Sequence, residues 1–137
     1  MALDTEIFRV RTGAEPAVVD IGYRLATFAQ GRGDGLLSVF VPHSTAGLAV
    51  MEVGAGSDRD LLRYLRDGMS PDRYRWEHRH GAPGHGADHV IPAFISPSLV
   101  LPVRDGALAL GMWQTVVLVD TNVGNPVRNV RLSFLAA

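Results

Sequence analysis

The chain has 137 residues, 47% of them hydrophobic, enough for the core of one compact domain, and a second domain is not expected. Thirteen basic residues against fourteen acidic ones give a formal charge of -1, which leaves no global positive field of the kind a nucleic-acid binder uses. All the basic residues are arginine and there is no cysteine, so lysine Schiff-base chemistry, a cysteine nucleophile, disulfides and thiolate metal sites are excluded.

The first ten residues, MALDTEIFRV, are acidic and alternating rather than basic and then apolar. No apolar run approaches membrane-spanning length, so a soluble, cytoplasmic protein with no membrane association is expected. Residues 5–12 alternate, with Phe8 and Val10 against Ile7 and Arg9, as in a strand with one buried face. Asp20 can cap a helix over residues 21–30, whose Ile21, Leu25 and Phe28 recur at helical spacing and which Gly31 and Gly33 can stop. Residues 35–41 form a short strand ended by Pro42, and residues 47–53 form another. His43, Ser44 and Thr45 then fall in a turn or bulge between paired strands. Alternation in the second of these strands puts Leu48, Val50 and Glu52 on one face, where an acid needs a cationic, metal or protonated partner.

Ser57 followed by Asp60 resembles a capping box for a second helix, with Leu61, Leu62 and Leu65 on one face and an end near Gly68. Residues 69–88 carry prolines, glycines and three of the five histidines without an apolar period, the pattern of a long functional loop. Strands are expected at residues 98–103, 107–111, 113–120 and 127–135, and Asp105-Gly106 between two apolar runs predicts a tight hairpin. Two helices among about seven strands, mostly hairpin-connected, indicate an α+β domain on antiparallel sheet.

Three histidines come with polar neighbours: His43 with Ser44 and Thr45, His78 with Glu77, and His89 with Asp88. Neutral imidazoles from separate segments can converge on a divalent metal while nearby carboxylates fix their tautomers. His80 and His85 are assigned to the flexible part of the loop. Trp113 offers a flat apolar wall and Gln114 both donates and accepts, a combination suited to a heteroaromatic ring. Arg128, just after Gly-Asn-Pro, can bind phosphate bidentately or simply lie exposed on a strand.

These residues, in this order, resemble the YjbQ family, whose members are described as secondary thiamine-phosphate synthases. The resemblance runs through HSTA and Glu52, Glu77-His78, His89 before SLVLPV, Gly111, Trp113-Gln114 and Arg128. It implies one compact α+β domain over residues 1–137, with antiparallel sheets packed as a sandwich and two main helices. It further implies a homotrimer with its site near subunit boundaries. The catalytic set would be His43, Glu52, His78 and His89, with a divalent metal ion on the three histidines. Ser44, Thr45, Trp113, Gln114 and Arg128 would bind a small phosphorylated or heteroaromatic ligand. The implied reaction joins a pyrimidine methyl diphosphate to a thiazole phosphate with release of diphosphate. Two cationic positions of the family pattern are apolar here, Ile91 and Val127. A trimeric metal- or anion-binding protein without turnover and a metal-dependent hydrolase are the alternatives.

Overall fold

The computed structural model describes residues 3–122 and 124–137. Among these residues eight strands and three α-helices follow one another as β1 (Leu3–Arg11), β2 (Ala17–Asp20), α1 (Gly22–Ala29), β3 (Gly35–Phe40), β4 (Ala46–Met51), α2 (Ser57–Gly68), the one-turn α3 (His85–Asp88), β5 (Ser98–Arg104), β6 (Ala107–Leu108), β7 (Thr115–Asp120) and β8 (Val127–Ala136). They form a five-stranded sheet in the order β1-β8-β3-β5-β6 and a three-stranded sheet in the order β2-β7-β4, with every pairing antiparallel.

The alternation of the outer strands sets the first layer. Phe8 and Val10 of β1, Leu37 and Val39 of β3, Leu101 and Val103 of β5, and Val130, Leu132 and Phe134 of β8 turn to one side of the large sheet. They meet Ala46, Leu48, Val116 and Leu118 from the small sheet and Leu25, Phe28 and Ala29 from α1 in one continuous core. The opposite face of the small sheet, through Val117 and Val119, packs on Leu61 and Leu65 of α2. β7 is therefore covered on both faces, which is why its central residues Val116, Val117, Leu118 and Val119 form an unbroken apolar run instead of an alternating one. The α+β class and the sandwich of antiparallel sheets are as expected.

Several local expectations differ from what the structure shows. β3 and β4 belong to different sheets, so the segment from Pro42 to Thr45 crosses from one layer to the other and is not a turn between paired strands. β2, which pairs with β7, was not foreseen from its four residues. Among the described residues only β5 and β6 are consecutive strands that pair directly, so hairpins are the exception: β1 pairs with the last strand, β8. The β5–β6 connection is the one the Asp-Gly dipeptide predicted, with φ of 52° at Asp105 and 75° at Gly106. α2 starts at Ser57 itself after a left-handed Gly56, so no Ser57–Asp60 capping box forms. Asp20 does serve α1, because its Oδ1 accepts from the Gly22 N–H at 2.9 Å and from Thr115 Oγ1 at 2.7 Å.

One close approach decides where the histidine-bearing loop sits. Gly47 of β4 lies directly under the Ile95 carbonyl, with no room for a Cβ, and Leu48 N–H donates to Ser96 O at 2.7 Å. That contact seats the single helical turn Ile91–Ala93 against β4, and buried Ile91 and Ala87 anchor α3 beside it.

Candidate functional site

Four histidines meet above the small sheet. The chain leaving α2 folds back through a 3₁₀ turn at Arg73–Arg75, where the Trp76 indole N–H donates to Ser70 O at 2.8 Å and Arg79 Nε donates to Trp76 O at 2.8 Å. Gly86 of α3 has no side chain to hold this strap away: a Cβ there would lie 2.5 Å from the His78 carbonyl. His78 and His80 are thereby laid over α3. His85 and His89 sit four residues apart, on one side of that helical turn.

The resulting cluster is tight. Ring centroids are 4.1 Å apart for His78 and His80, 4.4 Å for His78 and His89, and 4.6 Å for His85 and His89. His85 Nε2 and His89 Nε2 are 3.0 Å apart, within hydrogen-bond distance. One ligand nitrogen from each of His78, His80 and His85 lies within 4.8 Å of the others. The Nε2 of His78 is buried and has no hydrogen-bond partner among the described residues. Withdrawal from water, then the neighbouring imidazoles His80 and His85, lower the His78 pKa below the ordinary 6.5. His89 is lowered by burial first and then by His78, His85 and His80. Both shifts favour the neutral ring, the form in which imidazole can ligate a metal.

The cluster lines a cavity of about 1140 Å³. Across it, α2 presents Arg59, Leu62, Arg63 and Arg66, a spacing of i, i+3, i+4 and i+7 that defines one helix face. Asp88, half-buried on the same wall as the histidines, accepts from Thr121 Oγ1 at 2.6 Å. Burial raises its pKa above 3.8, against the lowering effects of that hydrogen bond and of His85 and Arg128.

Beneath the cavity lies a buried polar network. Arg128, with no exposed surface, donates from Nε to Asp120 Oδ2 at 2.7 Å and from Nη2 to Asp120 Oδ1 at 2.9 Å and Thr45 Oγ1 at 2.8 Å. Thr12 Oγ1 donates to Asp120 Oδ2 at 2.7 Å, and the Asn122 N–H to Asp120 Oδ1 at 3.0 Å. The Asn122 amide nitrogen, in turn, is 3.3 Å from His85 Nδ1.

The site expected from sequence is thus divided. His78 and His89 come together, joined by His80 and His85, the two rings first assigned to the loop. His43 is not with them, because the crossover from β3 to β4 points it at β8, where its Nε2 accepts the Asn129 N–H at 2.9 Å. Burial, and then Arg128, lower its pKa, with Asp120 opposing. Glu52 lies beyond the end of β4, exposed and off the cavity wall. Ser44 and Thr45 do line the cavity, although Thr45 is engaged with Arg128. Arg128 spends its guanidinium inside the protein and presents no fork to a phosphate. Trp113 is 71% exposed, and the Gln114 Oε1 accepts the Gly111 N–H at 2.8 Å; neither lines the cavity. What sequence reasoning passed over was density: four of the five histidines fall between His78 and His89.

The family model for UPF0047 proteins of the YjbQ-like type matches residues 6–137. The chain belongs to that family. It is 51% identical over 134 residues to a UPF0047 protein of Mycobacterium tuberculosis, covering 97% of this chain and 98% of that one. It is 30% identical over 101 residues to the UPF0047 protein YjbQ of Salmonella typhimurium, covering 70% of each. Among solved structures, a YbjQ-like protein of unknown function from Sulfolobus solfataricus superposes with a TM-score of 0.90 at 26% identity over 99% of both chains. A hypothetical protein from Aeropyrum pernix gives a TM-score of 0.88 at 31% identity, covering 98% of this chain and 99% of that one.

Proposed function

We propose that the histidine pocket holds a divalent metal ion and binds a small phosphorylated molecule against it. The observation that carries this reading is the placement of ligand nitrogens from His78, His80 and His85 within 4.8 Å of one another, around a buried His78 Nε2 that has no partner among the described residues. Burying an imidazole nitrogen without a hydrogen bond costs free energy, which a metal–nitrogen bond would repay. Nitrogens around one tetrahedral zinc ion lie about 3.3 Å apart, so the cluster fits after a modest side-chain contraction led by exposed His80. The all-nitrogen set suits zinc, nickel or iron. When bound, such an ion supplies fixed positive charge for a phosphoryl oxygen or a departing diphosphate.

The chain's own contribution to the ligand is the arginine face of α2. Arg59, Arg63 and Arg66 line the cavity, where Asp88 is the one carboxylate among the described lining residues; Arg63 and Arg66 also have the exposed carboxylates of Asp60 and Asp67 beside them, at 2.6 and 3.9 Å, and the balance on the cavity wall itself is cationic. They take the role first assigned to Arg128. The reaction we assign on the family resemblance is the thiamine-phosphate synthase type, a pyrimidine methyl diphosphate joined to a thiazole phosphate with release of diphosphate. A homotrimer belongs to the same proposal, because exposed Trp113 and Met112 then have a neighbouring subunit to meet. Binding without turnover is the second reading, favoured by the position of Trp113 and Gln114 away from this chain's own cavity.

Elemental analysis of the purified protein and of two alanine variants tests the metal. About one ion per chain is expected in the parent and in His43→Ala, and far less in His78→Ala. Equal content in all three would end the ligand assignment. Formation of thiamine phosphate from the two phosphorylated precursors, measured with and without added metal, separates the transferase from the binder. Light scattering reads the trimer.

A further inference from the structure

The chain leaves β7 through Asp120-Thr121-Asn122, and the last of these residues is only 8% exposed. Its side chain is held between two groups. The Gly124 N–H can only donate, so the atom it meets at 2.9 Å is the Asn122 oxygen. The NH₂ end therefore faces the other way, 3.3 Å from His85 Nδ1. Because NH₂ can only donate as well, Nδ1 must carry the lone pair, and the hydrogen of a neutral His85 ring sits on Nε2. That nitrogen is 3.0 Å from His89 Nε2, which must accept. Hydrogen bonds thus run in one direction, from Gly124 and Asn122 through His85 to His89, and the Asp120–Arg128 pair fixes the backbone of Asn122 at the start of the series.

We propose that Asn122 is a positioning residue that sets the tautomer of His85 and so holds down the pocket's affinity for a metal ion. The proposal rests on the metal reading given above. A His85 ring that offers the Nε2 lone pair to a cation must carry its hydrogen on Nδ1, and that hydrogen would then point at the two hydrogens of the Asn122 amide. Loading the site requires the amide to turn over. The turned amide, however, presents NH₂ to the Gly124 N–H, so one clash is exchanged for another. An aspartate at this position has two accepting oxygens, one for Gly124 and one for a His85 Nδ1–H. It would form the carboxylate–histidine pairing that raises the basicity of metal ligands, an effect commonly worth about 10- to 100-fold in affinity.

Asn122→Asp is therefore the decisive variant, since it keeps the oxygen that holds the turn and replaces the NH₂ facing His85 by an accepting oxygen that also carries charge, so ring tautomer and affinity are read together. Two measurements read it: nitrogen NMR of the histidine rings in metal-free protein, and zinc affinity by competition with a chromophoric chelator. The expected result is Nε2–H at His85 in the parent, Nδ1–H in Asn122→Asp, and zinc bound at least about 10-fold more tightly by the variant. Nδ1–H in the metal-free parent, or an unchanged or weaker zinc affinity in the variant, overturns the proposal; tighter zinc binding with the His85 tautomer unchanged is the effect of added charge alone and overturns it as well. Zinc binding to neither protein refutes the metal reading, and the ring tautomer alone then decides: Nε2–H in the parent sustains the control of His85 by Asn122, and Nδ1–H overturns it.

Discussion

Replacing Asp120 with asparagine asks how much of the molecule depends on its interior ion pair. Asp120 is 1% exposed and Arg128 has no exposed surface, and the carboxylate accepts four hydrogen bonds: two from Arg128, one from Thr12 and one from the Asn122 backbone. Asparagine keeps the shape but has one accepting oxygen, and in either orientation it sets an NH₂ against the Arg128 guanidinium, together with the Thr12 hydroxyl or the Asn122 N–H. No cavity term enters, so the loss measures charge and hydrogen bonding alone. Leaving one partner of a buried pair uncompensated costs about 3–5 kcal/mol. A domain of this length has a total stability of about 7–20 kcal/mol, so the substitution takes a large fraction of it. With a urea m value of about 2 kcal/mol per molar, the unfolding midpoint should fall by about 2 M. Asp60→Asn is the control. Its carboxylate meets Arg63 Nη2 at 2.6 Å, a shorter contact than either in the buried pair, but both side chains are about two-thirds exposed. An exposed pair contributes at most about 1 kcal/mol and is screened by salt. Urea unfolding of both variants at low and high salt decides the matter: similar midpoints for the two would refute the claim that burial rather than distance sets the value of the pair.

Acidification should act on the metal-free protein through its histidines. His43, His78 and His89 have folded-state pKa values below 6.5, so below that pH the unfolded chain binds more protons than the folded one and stability falls with falling pH. Asp88, raised above 3.8, acts with the opposite sign over the range above that value, but it is one group against three. A melting temperature in chelator that was as high at about pH 5.5 as at about pH 7.5 would count against these shifts. In metal-loaded protein protons compete for the imidazole nitrogens, against which the lowering at His78 acts, so metal content should fall as the pH is taken down through the histidine range, as equilibrium dialysis would show. Gly86→Ala should push the Trp76–His78 strap off α3, since its Cβ would lie 2.5 Å from His78 O and 2.9 Å from Trp76 Cβ. The expected cost is about 1–3 kcal/mol of stability together with a marked loss of cobalt affinity in optical titration. Gly68→Ala, where a Cβ meets nothing within 4 Å, should change neither, and equal behaviour of the two variants would show that the close approach has no role.

Local chemistry made a good part of this protein legible. Residue alternation marks β1, β3 and β5 and says which side of each is buried; the spacing of Ile21, Leu25 and Phe28 marks α1; Asp105-Gly106 marks its hairpin. These features depend on neighbours within a few residues, where backbone sterics and side-chain direction act directly. The histidine pocket was half legible for the same reason, since its four rings lie within one short segment, and the error was to divide them by their loop context. Tertiary structure alone decided the rest. Alternation states that a face is buried but not against what, so nothing in residues 35–53 told that β3 and β4 enter different sheets, or that His43 would turn to the Asn129 N–H. An arginine reads alike whether it is exposed or interior, and only the meeting of β4, β7 and β8 closes Arg128 over Asp120 and Thr45. The cationic wall of the pocket passed to α2 by the same logic: guanidinium groups find their role from what packs beside them, and that is set by the distant strands the core brings together.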